Sequence, residues 1–515
     1  MARIGATEKL KQFRTFLYNI FPARRDANMN LLDALSSHGH RCKTPIELCE
    51  SPYFEREYSS ITDAISDGLS VANCWDSMMK IQYEHVSHSD DRVIIIADTT
   101  PQSRQSAHCV EDRHVVYSPN PAPGNKPITI GHEYSTVSLL PNDGAAQEKH
   151  WLVPLDTRRV KSDEKGNVVG MQQINRCIAD LALTHKLVVS VADSKYGTEA
   201  CRKLVSENPN WVHLFRFNST RNVFAPASIE DNTSGSIKRY GDAMKLNDST
   251  THRESDEIVQ QPITTRSGKT YQLEIKIWRD QLLRGSKQFK GYEHPVTVVQ
   301  LVAVDANGKS LYKNPLWLGL AGERRNEITA LEAYHYYDRR YDIEHYFRFD
   351  KDKLLFDRYQ TPDVKHEEDW WRMTALAYTQ LYLARNLAPI LPKKWERYLP
   401  SFQVDNEKPS ITATPSQTQR GFSTVLDTVG TPANLCKPRG NPQGRTKGDT
   451  QRKRTRHPAI FKNSNSKIKT IQRTEEKTQN SDPEKIEDLI GIVKSWLDKI
   501  NFTPEKFYEL LQKTA

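Results

Sequence analysis

The sequence predicts an α/β protein built around a large sheet, and its strand and helix patterns indicate this class. Two continuous apolar runs rich in β-branched residues, 93–98 and 186–193, are typical of strands buried on both faces. A helical pattern lies between them at about 170–185, and a second helix at about 197–207 leads into a strand at 211–217. Strands and helices that alternate in this way form a sheet with parallel central strands.

Composition excludes several other classes of protein. No run of 18 apolar residues occurs among the 515, so we expect no membrane-spanning helix, and the first residues lack the apolar stretch of a secretory signal. The seven cysteines are dispersed, without a C-x-x-C pair or zinc-site spacing. Neither a disulfide framework nor a zinc site is therefore predicted.

The positive charge is concentrated in one segment. The net charge is +9, and the stretch 437–473 alone contains twelve Lys and Arg residues against a single acid, Asp449. With few apolar residues this stretch is expected to be disordered. Such a segment neutralises DNA phosphates without reading sequence. The alternative is a solvated linker that binds nothing.

Two carboxylates stand at the ends of the buried runs. Asp98 ends the first run and Asp193 ends the second. Ligand sites in open α/β sheets lie at the carboxyl edge of the strands, so both side chains should meet there. Adjacent carboxylates repel each other unless a cation lies between them, and hard divalent ions prefer oxygen ligands. The alternative is that each aspartate only forms a turn or caps a helix.

A third pattern supplies another acid. Tyr337, Arg340, Glu344 and Lys351 follow the spacing Y-x2-R-x3-E-x6-K within a helical stretch at 328–356. On one regular helix these side chains fall within an arc of about 60°. A carboxylate beside two cations and a phenol suits a metal ligand next to phosphate-binding groups. The alternative is a solvated helix with an ordinary Arg340–Glu344 pair.

These motifs resemble those of a known family. VIIIADTT around Asp98, VVSVADSKYG around Asp193 and the signature ending at Lys351 resemble DDE transposases of bacterial insertion sequences. The similarity is to the cut-and-paste, insertion-sequence-4-like group, whose ribonuclease-H-like core carries a Y-R-E-K signature helix. It spans about 90 to 390, and a β-rich segment between the second Asp and the Glu also fits that group.

The pattern along the chain, with the resemblance for its central part, predicts a division into six parts. A helical N-terminal region and an interrupted ribonuclease-H-like core are followed by a disordered basic linker and C-terminal helices. The expected bounds are 1–88 for the N-terminal region, 89–217 for the first part of the core, 218–322 for the β-rich insertion, 323–395 for the rest of the core, 396–481 for the low-complexity linker and 482–515 for the C-terminal helices.

The resemblance also implies roles for individual residues. Three acids would hold two Mg²⁺ ions, with Mn²⁺ as a substitute, for in-line phosphoryl transfer: Asp98, Asp193 and Glu344. Three further side chains of the signature would bind DNA phosphates: Tyr337, Arg340 and Lys351. In this group the insertion supplies a tryptophan that stacks on a flipped base, for which Trp317 is the first candidate and Trp278 the second. Packing in an apolar strand is the alternative for both tryptophans.

The predicted function is that of a magnesium-dependent DNA transposase that cuts element ends and joins them to target DNA. Its partners would be double-stranded DNA and, in the paired-end complex, a second copy of the chain. Its expected location is the cytoplasm, in association with the nucleoid. Two alternatives stay open: a related, domesticated DDE-type nuclease that only cuts DNA, and a catalytically silent DNA-binding regulator.

Overall fold

The computed structural model describes residues 2–38, 42–69, 74–86, 91–118, 127–142, 149–227, 238–265, 268–391, 412–437, 444, 446, 448, 450, 453–462 and 468–470. The C-terminal helices predicted at 482–515 lie outside these residues.

Ten α-helices occur in the described part of the chain: α1 Ala2–Ile20, α2 Arg25–Ser37, α3 Ser59–Gly68, α4 Cys74–His85, α5 Gly166–Asp180, α6 Glu199–Ser206, α7 Ala330–Arg339, α8 Asp342–Lys353, α9 Val364–Ala384 and α10 Pro415–Val429. None of these helices is both long and apolar enough to cross a bilayer.

Fourteen strands are described: β1 Arg92–Ser103, β2 His114–Tyr117, β3 Ile128–Leu139, β4 Val153–Val160, β5 Leu187–Ala192, β6 Trp211–Arg216, β7 Asn222–Pro226, β8 Tyr240–Lys245, β9 Glu257–Thr264, β10 Thr270–Gln281, β11 Val296–Val304, β12 Leu316–Ala321, β13 Ile460–Lys462 and β14 Ile468–Thr470. Twelve of them form one sheet in the order β14-β13-β2-β3-β1-β5-β6-β12-β11-β10-β9, with β4 beside β3, and β7 pairs with β8 in a second sheet.

The centre of the large sheet has the predicted ribonuclease-H-like arrangement. Strands β1, β5 and β6 run parallel, and β3 runs antiparallel to β1 on the other side. All six residues of β5 are buried, as expected for an apolar strand covered on both faces. Helix α5 packs on β1 and β3. The predicted α/β fold class is thereby confirmed.

The β-rich stretch between the central strands and α7 continues the same sheet. Strand β12 pairs antiparallel with β6, from Leu318 opposite Arg216 to Ala321 opposite His213. Strands β11, β10 and β9 follow outward in antiparallel order. The insertion therefore extends the central sheet through main-chain hydrogen bonds.

The N-terminal helices pack against the C-terminal part of the core. Helices α1 and α2 contact both α9 and α10. The buried Arg14 of α1 forms an ion pair with Asp33 of α2, donates to Gln380 Oε1 over 2.9 Å, and donates to the carbonyl of Gly430 over 3.1 Å. Because a buried guanidinium needs all such partners, residues from both ends of the described chain stabilise one core.

Two described pieces of the predicted low-complexity linker, 396–481, are ordered. Helix α10 lies within it, begins with a capping box between Thr414 and Gln417, and buries Phe422 in the core. Further on, His457 N donates to the carbonyl of His108 over 2.8 Å, and β13 pairs with β2. Helix α10 packs through apolar residues at helical spacing, and β13 binds main-chain groups at the edge of the sheet. Composition alone reveals neither of these partners.

Candidate active site

The two predicted aspartates lie side by side at the carboxyl edge of the sheet. In the parallel pair β1–β5, Ile96 is opposite Val191, so Asp98 and Asp193 each follow two residues beyond matched positions. Main-chain amides fix both carboxylates: Thr99 N donates to Asp98 Oδ1 over 2.8 Å, and Lys195 N donates to Asp193 Oδ1 over 2.9 Å. Strand register thus brings the two acids together, as the sequence predicted.

The signature residues do not lie on one regular helix. The sequence predicted a continuous helix over 328–356, whereas α7 ends at Arg339 and α8 begins at Asp342. At the junction, Arg340 N bonds the carbonyl of Tyr337 and Glu344 N bonds that of Tyr341, both three residues back. Hydrogen bonds that reach three residues back tighten the turn, so the residues after it are rotated relative to those of α7. This corrects the prediction that the four signature side chains lie on one face of one helix.

Arg340 joins the first strand to the signature glutamate. Its guanidinium donates to Glu344 Oε1 over 2.7 Å and to Asp98 Oδ2 over 3.5 Å. The Asp98 side chain is 19% exposed and that of Arg340 is 16% exposed, so this contact is largely shielded from water. Asp98, Arg340 and Glu344 therefore form one charged cluster beside Asp193.

Burial raises the pKa of Asp98 to about 6. The Arg340 cation opposes this shift, whereas the negative charges of Asp193 and Glu344 add to it. A carboxylate whose pKa is raised by two other carboxylates has them within electrostatic reach. Asp193 and Glu344 therefore lie close enough to Asp98 for their charges to act on it.

The donor set suits a hard divalent cation, since carboxylate oxygens are its preferred ligands and three negative charges repel without it. Within the described residues, no three His, Cys, Asp or Glu side chains are already close enough together to hold a metal. The Arg340 guanidinium lies between the carboxylates of Asp98 and Glu344 and contacts both. An ion bound by both acids requires that guanidinium to move away.

Lys351 reaches back to strand β1. Its ammonium donates to Thr100 Oγ1 over 2.7 Å and to the carbonyl of Pro101 over 2.9 Å. Burial lowers the pKa of Lys351. Thr100 follows Asp98 by two residues and shares its side of the strand. In this arrangement Lys351 fixes the end of the strand that bears Asp98.

Tyr337 and Arg216 complete the polar edge. Burial raises the pKa of Tyr337, while the nearby cations of Arg340 and Arg216 lower it. Arg216 ends β6 one residue beyond the pair Ala192–Phe215, in register with Asp193. Sequence reasoning missed Arg216, although a cation at the end of the third parallel strand could have been noted with the two aspartates.

The candidate stacking tryptophans are buried. Trp317 is 2% exposed and Trp278 is 3% exposed, with ring centroids 5.6 Å apart. His252 contacts Trp317 edge-on at 5.3 Å, and Trp278 Nε1 donates to the carbonyl of Arg253. Both rings occupy a satellite core with Phe215. The packing alternative describes this conformation, and base stacking by Trp317 stays a prediction that requires its ring to become exposed.

Comparison with known families decides the class of protein. The sequence model of a family described as DDE superfamily endonuclease matches residues 16–285, more than half of the chain. The chain belongs to the DDE superfamily endonucleases. The matched region of this DDE superfamily endonuclease includes Asp98 and Asp193 and ends before Glu344. No curated protein matches the chain.

Membership of this family agrees with the carboxylate chemistry at the carboxyl edge of the central sheet. DDE superfamily endonucleases act on DNA and typically use divalent metal ions, so nuclease- or transposase-type activity follows for this chain. A carboxylate cluster at the open edge of a ribonuclease-H-like sheet is a suitable place for such chemistry.

Proposed function

We propose that the chain is a cut-and-paste DNA transposase of the insertion-sequence-4-like group. It would cut DNA at the ends of a mobile element and join these ends to target DNA. The observation that supports this most is the cluster at the sheet edge, where Asp98 lies in register with Asp193 and contacts Glu344 through Arg340. The Y-R-E-K spacing supports transposition rather than simple cutting, because it adds cations that can hold a free strand end.

Asp98, Asp193 and Glu344 would hold the divalent ions, two Mg²⁺ in the full proposal, with Mn²⁺ as a substitute. When bound, such ions activate an oxygen nucleophile and stabilise the leaving oxygen. The negative charges of the three acids make the affinity for these ions depend on all three side chains together. Arg340 neutralises part of this charge in the conformation described here.

Once its guanidinium moves away from the two carboxylates, Arg340 would take a second role. Its guanidinium would donate to the non-bridging oxygens of the reacting phosphate, close to Tyr337, whose ring centroid lies 5.8 Å from the Arg340 guanidinium carbon. The nucleophile oxygen then forms a bond to phosphorus while the bond to the leaving oxygen breaks. The nucleophile oxygen gives up its proton to solvent in this step, and the leaving oxygen keeps the electron pair of the broken bond and takes up a proton from solvent. Lys351 would act by holding β1 in place.

Pairing of two element ends requires two active sites, so we propose that a second copy of the chain joins the complex on DNA. The C-terminal segment 482–515, with apolar residues at helical spacing, is the proposed contact. A chain that ends at residue 480 should still bind one DNA end and should lose the paired complex in a gel-shift assay with Ca²⁺. Normal paired complexes would exclude this segment as the contact.

The decisive experiment measures nicking of DNA taken from both flanks of the gene. Asp98→Asn, Asp193→Asn and Glu344→Gln each keep the shape of the side chain and remove one negative charge. Each should reduce nicking in Mg²⁺ at least about a thousandfold, as expected where a residue acts as part of one catalytic unit. The matched control is Asp352→Asn, an exposed acid on the same helix as Glu344, which should nick normally.

Normal nicking by any of the three acid variants would remove that residue from the site. Joining of the cut ends to a target plasmid separates the transposase from the nuclease alternative, which would cut without joining. If the wild-type chain binds DNA but does not cleave it, the result favours the catalytically silent regulator.

A further inference from the structure

Arg202 is a buried cation that has no hydrogen-bonding partner in the part of the chain that the structure describes. It lies on α6, its residue is 2% exposed, and none of its three guanidinium nitrogens has a hydrogen-bond acceptor among the described residues. Its guanidinium carbon lies 5.4 Å from the ring centroid of Phe289, a cation–π contact that leaves the N–H groups unused.

Such an arrangement is costly without a ligand. Burial lowers the pKa of Arg202 to about 10, and the nearby Arg221 cation adds to this effect. At neutral pH the guanidinium is still charged. The Glu199 carboxylate acts on it electrostatically but accepts no hydrogen bond from it, and a buried charge without hydrogen-bond acceptors destabilises a fold. A negatively charged group that accepts several hydrogen bonds would supply the missing partner.

A cavity lies next to this guanidinium. It has a volume of about 160 Å³ and its polar lining consists of Arg202, Ser206, His294 and Arg325, with two exposed acids, Glu293 and Glu323. Glu293 is ion-paired with Lys290. Arg325 Nε is also buried without an acceptor in the described structure. The volume exceeds the roughly 30 Å³ of a water molecule, so a polyatomic oxyanion has room. The two other Arg325 nitrogens bond the Gly322 carbonyl and Asp280, so Arg202 supplies most of the unused donors among the lining residues.

The cavity is separate from the acidic cluster. Ala321 and Gly322, which line it, lie where β12 is opposite the beginning of β6, and a Cβ on Gly322 would approach the carbonyl of Trp211 to 2.3 Å. The acids lie beyond the other ends of the parallel strands, near Arg216. The two sites therefore occupy opposite ends of β6.

We propose that this cavity, here called the Arg202 cavity, binds a phosphate group through the Arg202 guanidinium. The surface of the β-rich insertion beside it favours a phosphodiester of nucleic acid over a free phosphate ion. Exposed Arg239 lies 5.2 Å from the ring centroid of Tyr292, and exposed Arg284 lies 4.9 Å from that of Phe224. Cations interleaved with half-buried aromatic rings are a common surface for nucleic-acid strands.

The first experiment measures thermal unfolding of the full chain in sodium phosphate and in sodium chloride of equal ionic strength. Phosphate should raise the unfolding temperature of the wild type, and Arg202→Met should abolish this difference with an affinity loss of about ten- to a hundredfold. Arg202→Lys should keep part of it. Lys203→Met, an exposed cation on the same helix, should respond as the wild type does. Equal responses of wild type and Arg202→Met would overturn the proposal.

The second experiment identifies the source of the phosphate. Binding of a short single-stranded DNA is measured in EDTA, so that no cutting occurs, for wild type, Arg202→Met and Lys203→Met. A tenfold or larger loss with Arg202→Met alone assigns the cavity to a DNA phosphodiester. Unchanged DNA binding, with the loss of the phosphate response, assigns it to a free phosphate ion. Because neither readout needs cleavage, failure of the catalytic proposal would leave this one intact.

A competing arrangement places the Glu323 carboxylate on Arg202. Glu323→Gln removes one negative charge at the rim, so it should strengthen the phosphate response and leave the unfolding temperature in chloride unchanged. If Glu323→Gln instead lowers that temperature and phosphate restores none of it, Glu323 is the partner of Arg202 and the proposed site is overturned.

Discussion

Lys351 holds the end of strand β1, since its ammonium donates to Thr100 and to the Pro101 carbonyl. We therefore expect Lys351→Met to displace Asp98 and to reduce DNA nicking at least about tenfold, while the dissociation constant for DNA changes less than about twofold. Lys351→Arg, which keeps a charged donor, should recover part of the nicking rate. Gel-shift titration and a nicking assay measure the two quantities on one preparation.

If Lys351→Met instead weakens DNA binding, Lys351 binds a DNA phosphate, which is the role implied by the resemblance. A direct phosphate contact would appear as weaker DNA binding and as a decrease of about 0.9 in the slope of log K against log salt. The sequence spacing alone predicted that Lys351 lies near the acids. It could not show which acceptors the ammonium finds, because Thr100 and Pro101 are about 250 residues earlier in the chain.

Asp369 provides a test of pH dependence at one side chain. Burial raises its pKa to about 7, its side chain is 0% exposed, and Oδ2 has no partner within the described residues. A carboxyl whose folded pKa exceeds its unfolded pKa is favoured in the neutral form. Its contribution to stability is therefore present below the unfolded pKa, near 3.8, and is lost as pH rises to about 7.

Asp369→Asn should remove this dependence, because the amide stays neutral. Relative to wild type, the variant should gain about 2 to 3 kcal/mol in the free energy of unfolding between pH 5 and pH 8. Urea unfolding at several pH values measures the difference. Asp163→Asn, at an exposed acid, is the control and should show no such gain. A constant difference for Asp369→Asn across this range would contradict the raised pKa.

Among the elements, helix α10 stabilises the N-terminal helices. Phe422, Val425 and Leu426 are buried on its inner face. Phe422→Ala should lower the free energy of unfolding by about 3 to 5 kcal/mol, as expected for a large cavity in a core. Thr428→Ala, at an exposed position of the same helix, should change it by less than about 0.5 kcal/mol. Denaturant unfolding followed by tryptophan fluorescence gives both values; equal effects would mean that α10 does not pack here.

How far sequence predicts an element depends on whether its signal is local. Strand β5 can be recognised from sequence because burial on both faces requires a continuous apolar run. Helix α9 can be recognised from the helical spacing of its apolar residues. Helix α10 was missed within a polar region, although Thr414-Pro415 with Gln417 is a helix-start signal. The break after Arg339 has no comparable local signal, since both flanking turns suit a helix.

At the scale of the whole molecule, a described part of the basic segment runs along one edge of the sheet. Residues 453–462 follow the β2 edge, with Lys453 and Arg454 exposed. Replacing both with Gln should weaken binding to specific and random DNA alike and reduce the salt slope by up to about 1.8. Lys11→Gln with Lys80→Gln, exposed cations of the N-terminal helices, is the control pair. An unchanged slope would show that the basic segment does not touch DNA.

The distribution of charge along the chain was predictable from composition, whereas its position on the fold was not. Asp98, Asp193 and Glu344 are separated by long stretches of sequence, yet strand order and register suffice to bring the first two together. The contact of the third depends on Arg340, whose side-chain direction no sequence pattern determines.

The partners of Arg14 also determine when the chain can fold during its synthesis. The Gly430 carbonyl that it bonds lies 416 residues later, a stretch that a ribosome translates in about 20 to 80 s at 5 to 20 residues per second. Throughout that interval Leu10, Phe13 and Leu17 of the nascent chain lack helix α10, one of the helices that contact α1. The protein therefore passes through a long aggregation-prone stage in which chaperones have a surface to bind, and slow translation near its end prolongs that exposure.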